Sequence, residues 1–174
     1  MFLIILITLQ IGAKTNSKTA ESSKYLIFHV HGGGWAAQTS KSHELYLREW
    51  AVKLDVPILS IDYSLAPEAP FPRALEEVFY AYCWALNNPE VVGSTGEHIV
   101  FVGDSAGGNL NTACVVKSIE MGISIPKGLF NIYTPYDVSF TIAPSRFLAL
   151  IDPVLPYGFS SRLFKSYAKL DHNI

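Results

Sequence analysis

The sequence predicts an α/β fold, a mostly parallel sheet with helices on both faces. Three observations predict it. Short apolar runs alternate with longer stretches of helical periodicity, the arrangement of βαβ units. Two of those runs end abruptly in glycine-rich turns, at Gly32 and at Gly103. The 174 residues are 49% hydrophobic and 16% charged, enough apolar material for one globular domain and too much for a disordered chain.

Met1 to Ala13 is strongly apolar and too short to span a bilayer as a helix. It reads either as a buried strand or as a secretory leader with Gly12-Ala13 ahead of a cleavage site, although no Lys or Arg precedes it. Lys14 to Ser23 is a polar linker, so the chain divides into a terminal segment, 1–23, and a domain, 24–174. Tyr25 to Val30 reads as the first buried strand of that domain. Ser42 then caps a helix whose apolar face is Leu47, Trp50, Ala51 and Leu54. Pro57 to Ile61 is the second strand, and Pro72 suits the first turn of the next helix. That helix places Leu75, Val78, Phe79, Tyr82, Cys83 and Leu86 on one side. After a turn at Gly93 to Glu97, Ile99 to Val102 is the third strand. A helix from about Gly107 to Met121 follows, closed by Gly122. Gly128 to Tyr133 is the fourth strand. Prolines 135, 144, 153 and 156 then interrupt the pattern, leaving one short helix at about Ser160 to Leu170.

Composition narrows the function. The formal net charge is −2 and no basic stripe appears, which argues against nucleic acid as a partner. Two cysteines, Cys83 and Cys114, cannot build a disulfide framework and read as free core thiols, in keeping with a cytoplasmic protein. His29 and His31 share one strand face, but no third ligand at suitable spacing accompanies them, so no metal and no cofactor is expected.

Two motifs carry chemistry. Gly103-Asp104-Ser105-Ala106-Gly107-Gly108 contains Gly-x-Ser-x-Gly where a strand meets a helix. A sharp turn there lifts the serine hydroxyl clear of the sheet, and flanking glycines let the backbone pass closely. Alone the motif is weak, because a glycine-rich βα turn without chemistry looks the same. His31-Gly32-Gly33-Gly34-Trp35 follows the first strand. Its successive glycines leave backbone N–H groups unshielded and able to face a carbonyl oxygen as it becomes negative. The pair together, in this order along the sheet, is far more specific. Ser105 is thus the candidate nucleophile. The N–H groups of Gly33, Gly34 and Ala106 are the candidate oxyanion hole. His31, Gly32, Gly103, Asp104 and Gly107 are candidate supports. His31 precedes the serine, the wrong chain order for the base, and is read as holding its loop.

His31 to Trp35, Asp62 to Glu68 (DYSLAPE) and Gly103 to Asn109 resemble the hormone-sensitive lipase family of α/β-hydrolases. The strings at Ala66 to Glu77, Gly93 to Glu97 and Pro144 to Pro156 strengthen the likeness, which covers about three quarters of the chain. The resemblance implies a serine ester hydrolase, a lipase or esterase, cleaving acylglycerols or other lipid esters through a Ser105 acyl-enzyme. It implies contact with a lipid droplet or membrane surface in a full-length protein. Tyr63 and Glu68 are read as structural. The family's acid and base follow later strands. Here the residues after Ser105 hold Glu120, Asp137, Asp152, Asp171 and one histidine, His172 beside Asp171 in a terminal tail. The expectation is therefore a partial α/β-hydrolase domain, truncated after about the sixth strand, with little or no activity. Its fourth strand would be an unpaired sheet edge. The competing reading is a non-catalytic ligand-binding member of the same fold, as the plant gibberellin receptors are.

Overall fold

The computed structural model describes residues 5–9, 22–139 and 144–169. The described strands are β1 (Ile5–Leu9), β2 (Ser23–Val30), β3 (Ile58–Asp62), β4 (Ser94–Asp104) and β5 (Gly128–Ile132). The helices are α1 (Glu44–Leu54), α2 (Arg73–Asn87), α3 (Ala106–Glu120), α4 (Pro144–Leu148) and α5 (Tyr157–Ala168). One sheet runs in the order β1-β3-β2-β4-β5. β2, β3, β4 and β5 are parallel, as expected, and β1 adds an antiparallel edge on β3. Ile5–Leu9, inside the apolar run near the N-terminus, thus extends the sheet.

Side chains alternate across β2. Leu26, Phe28 and Val30 face a core made with Leu59, Ile61 and Phe101 under α2 and α3, while Ile27 joins Ile58, Val102, Leu47 and Ala51 under α1. Phe28, Tyr82 and Phe101 form one aromatic cluster, with ring centroids 4.7 to 5.8 Å apart. On β5, Leu129 and Phe130 are exposed, and β4 is its one partner among the described residues.

Several expected details shift. Ser42 lies in a 3₁₀ turn, Ser40–His43, paired with Thr39 in a capping box, so α1 begins after it. Leu54 is exposed, because α1 ends there at a left-handed Asp55. The buried stripe of α2 is Ala74, Glu77, Val78, Ala81, Tyr82 and Ala85, one step round from the larger side chains. The backbone of α2 comes close to α3, an approach that small side chains permit. Leu75, Phe79 and Leu86 flank that contact. α5 starts at Tyr157, three residues early, and α4 had no sequence signal strong enough to predict it.

Strand order creates the site. From β2 the chain crosses to β3 on one side and then returns to β4 on the other. The reversal opens a crevice at the carboxyl ends of β2 and β4, the usual ligand position in open α/β sheets. The two glycine motifs begin at those two strand ends.

Candidate active site

Ser105 stands between β4 and α3 with φ 49° and ψ −119°, a region that non-glycine residues occupy at a cost of order 1–3 kcal/mol. The turn is held by the Ser105 N–H donating to the Ile132 carbonyl at 2.9 Å and by the Asn109 N–H donating back to Ser105 O at 3.2 Å. The Asn109 side chain donates to the Pro135 carbonyl at 2.9 Å and ties α3 to the segment after β5. A Cβ at Gly103 would lie 2.8 Å from the Gly107 carbonyl carbon, and one at Gly107 would lie 2.7 Å from the His31 carbonyl oxygen. Side chains at either position would force the serine turn, α3 and the His31 loop apart.

The His31–Trp35 loop turns through φ 99° at Gly33, 61° at Gly34 and 59° at Trp35. The Gly33 carbonyl accepts from the Ala36 and Ala37 N–H groups, at 3.2 and 3.0 Å. Among the described residues, nothing accepts a hydrogen bond from the N–H of Gly33 or Gly34. Both residues are half-buried, as is Ser105, while Ala106 is fully buried. Trp35 is anchored by stacking on Tyr167 of α5 at 4.5 Å, and its carbonyl accepts from the Ala66 N–H at 2.8 Å.

Asp104 joins the two motifs. Its Oδ1 accepts from the Gly32 N–H at 3.0 Å and its Oδ2 from the Tyr133 hydroxyl at 3.0 Å. Tyr63 supports the loop from below. Its hydroxyl donates to the carbonyls of His31 (2.9 Å) and Gly32 (3.2 Å), and its ring stacks on His31 at 4.3 Å. His31 is buried, with Nδ1 2.7 Å from its neighbour's carbonyl, Gly32 O. Burial lowers its pKa, partly offset by that hydrogen bond and by Asp62. Glu68 is exposed.

Sequence reasoning missed two supports. Glu77 is buried on α2. It accepts from the Ser64 N–H (2.7 Å), the Ser64 hydroxyl (2.9 Å) and Arg73 Nε (2.6 Å), which fixes the start of the DYSLAPE segment. Its signal was present, since Ala74, Val78 and Ala81 surround it at helical spacing. The second is a buried histidine cluster. His29 meets His43 and Asp104, where the sequence pairing had suggested His29 with His31. No periodicity could place His43, because a loop delivers it. Cys114 is a buried free thiol pushed up to about 12 by that burial, and Cys83 is a half-buried one.

No hydrogen bond engages the Ser105 hydroxyl among the described residues. Asp171 and His172 lie outside them. Asp137 and Asp152 are exposed, and Asp152 Oδ1 accepts from the N–H groups of Val154 and Leu155 in its own turn. No helix among the described residues is long and apolar enough to cross a membrane.

A parallel sheet with helices on both faces, a strained serine after a central strand and a glycine loop beside it define an α/β-hydrolase. The family model for the alpha/beta hydrolase fold matches residues 27–173, and the chain belongs to that family. Within it, the chain resembles hormone-sensitive lipase, 52% identical in Mus musculus and 53% in Bos taurus over 149 residues. Each match covers 86% of this chain and 20% of the relative, so the chain spans about a fifth of those lipases. Arylacetamide deacetylase of Oryctolagus cuniculus is 33% identical over 92% of this chain and 41% of that protein. Among solved structures, a Rhizomucor miehei esterase superposes with a TM-score of 0.81 at 28% identity, covering 95% of this chain and 55% of the esterase. A thermophilic carboxylesterase from a metagenomic library also reaches 0.81, at 25% identity, over 87% of this chain and 52% of that one.

Proposed function

We propose that this chain carries the nucleophile half of a serine ester hydrolase acting on lipid esters. Ser105 attacks the ester carbonyl, and its proton leaves to a general base. The developing oxyanion is held by the N–H groups of Gly33, Gly34 and Ala106. The alcohol departs, and water later releases the acid from the Ser105 ester. The observation that carries this reading is the pair of unclaimed N–H groups at Gly33 and Gly34, in a loop bonded through Gly32 to the residue before Ser105. Each such donor is typically worth about 10² to 10³ in rate. His31, Gly32, Gly103, Asp104 and Gly107 keep loop and serine in register. The lipase, esterase and deacetylase names of the relatives support an ester substrate, and the hormone-sensitive lipase likeness supports an acylglycerol or similar lipid ester, met at a droplet or membrane surface by the whole protein.

Among the described residues no side chain stands as the base. With no described histidine hydrogen-bonded to Ser105, acylation of the isolated chain is slow, and its acyl-enzyme is hydrolysed more slowly still and accumulates without contributing appreciably to steady-state turnover. The test is incubation with a p-nitrophenyl ester followed by mass spectrometry of the Ser105 peptide. Slow acylation of Ser105, absent in Ser105→Ala and weakened in Gly34→Ala, is expected. An unmodified Ser105 beside acyl groups on other side chains would overturn the reading.

A further inference from the structure

We propose that His29, His43 and Asp104 form a binding site for a divalent cation of the zinc class. The site lies behind the serine turn, where β2, the 3₁₀ turn and β4 end. One ligand atom from each residue lies within 4.8 Å of the others, and all three residues are buried. Two imidazoles and one carboxylate are a donor set suited to zinc or cobalt.

The second observation is how each ligand is aimed. Metal-binding histidines characteristically commit their other ring nitrogen to a fixed partner. Here His29 Nδ1 is 2.7 Å from the Ser60 hydroxyl, which leaves Nε2 facing inward. His43 Nε2 donates to Gln38 Oε1 at 2.9 Å, so Nδ1 presents its lone pair. That lone pair lies 3.7 Å from Asp104 Oδ1, whose carboxylate is itself held by the Gly32 N–H and the Tyr133 hydroxyl. Two electron-rich atoms therefore face each other in a buried place. The Tyr46 hydroxyl bridges the two imidazoles, 2.8 Å from His43 Nδ1 and 3.3 Å from His29 Nε2, and gives way when a metal ion enters. Burial keeps that phenol protonated, so it serves as a hydrogen-bond partner and not as an anionic ligand. Burial, with the neighbouring His43 and His31, also holds His29 neutral, the form that binds metal. Ligands around a tetrahedral ion at ~2.0 Å stand ~3.3 Å apart, so the widest separation, up to 4.8 Å, closes by about 1.5 Å, with water in the fourth position.

The test uses tag-free, chelator-treated protein. Cobalt should bind at one equivalent per chain with the visible bands of a four-coordinate ion, and zinc should displace it. His43→Ala, checked by circular dichroism, should lose the bands. Gln38→Ala removes an exposed side chain that only aims His43, and should weaken zinc binding about 10- to 100-fold. If His43→Ala unfolds, the Gln38→Ala affinity decides. Absent bands in the parent chain, or equal affinity in parent and Gln38→Ala, would show a hydrogen-bonded relay without a metal and overturn the proposal.

Discussion

Three glycine-to-alanine substitutions separate close packing from backbone preference. Gly107 and Gly158 are each the second residue of a helix, α3 and α5, so alanine favours both helices equally. A compatible Gly→Ala change stabilises by about 0.4–1 kcal/mol, mainly by restricting the unfolded chain. At Gly158 nothing lies within 4 Å of the new Cβ, and that gain should appear in full. At Gly107 the Cβ would meet the backbone of Val30 and His31, which cannot rotate away as a side chain can. Overpacking costs about 1–3 kcal/mol, and a backbone neighbour places this case at the upper end. Subtracting the gain leaves a net loss of about 2 kcal/mol, or about 4–8 °C in Tm for a domain of this size. Gly122 is the intermediate case. It has open space but φ +65°, so alanine should cost about 1–2 kcal/mol through the backbone alone. Urea unfolding read by tryptophan fluorescence ranks all three. A Gly107→Ala protein as stable as Gly158→Ala would refute the claim that the His31 loop rests directly on α3.

Three further outcomes are expected. Asp104→Asn leaves an acceptor for the Gly32 N–H but removes the charge shared with Tyr133, and should lower stability by about 1–3 kcal/mol, seen as a lower urea midpoint. His29 is held at a pKa of about 3, chiefly by burial, against 6.5 when unfolded. The unfolded chain therefore binds the extra proton first as pH falls, and stability should drop by about 1.6 kcal/mol between pH 6.5 and 5 in chelator-treated protein. The drop should shrink in His29→Gln, and an unchanged slope would locate the proton elsewhere. Ser105→Ala should scarcely alter the steady-state hydrolysis of a short-chain ester by the isolated chain, whereas a loss of 100-fold or more would show a base already in place.

Much of this molecule was legible in its residues because the signals were local. The runs at Tyr25 to Val30 and Ile99 to Val102 became central strands, and the glycine motifs fell at their ends. Gly33 and Gly34 take positive φ as their type suggests, but Ser105 takes it too, and only the motif around it hinted at that strain. What stayed hidden was long-range. The return from β3 past β2 to β4, which opens the crevice, depends on strand order that no single run encodes. Asp104 reaches Gly32 across 72 residues of sequence. His43 reaches Asp104 from a turn whose polar sequence announces only a helix start. The face of α2 was legible in part: Val78 and Tyr82 are buried as expected, but large side chains dominate periodicity and hid Ala74, Ala81 and Ala85.

Catalysis at Ser105 requires the glycine-loop amides to meet the negative charge that develops there. A crystal structure of the chain with a phosphonate ester bonded to Ser105 Oγ measures this directly. The phosphonyl oxygen should lie about 2.7–3.1 Å from the N atoms of Gly33, Gly34 and Ala106. An oxygen turned to solvent, with those N–H groups bonded elsewhere, would contradict it.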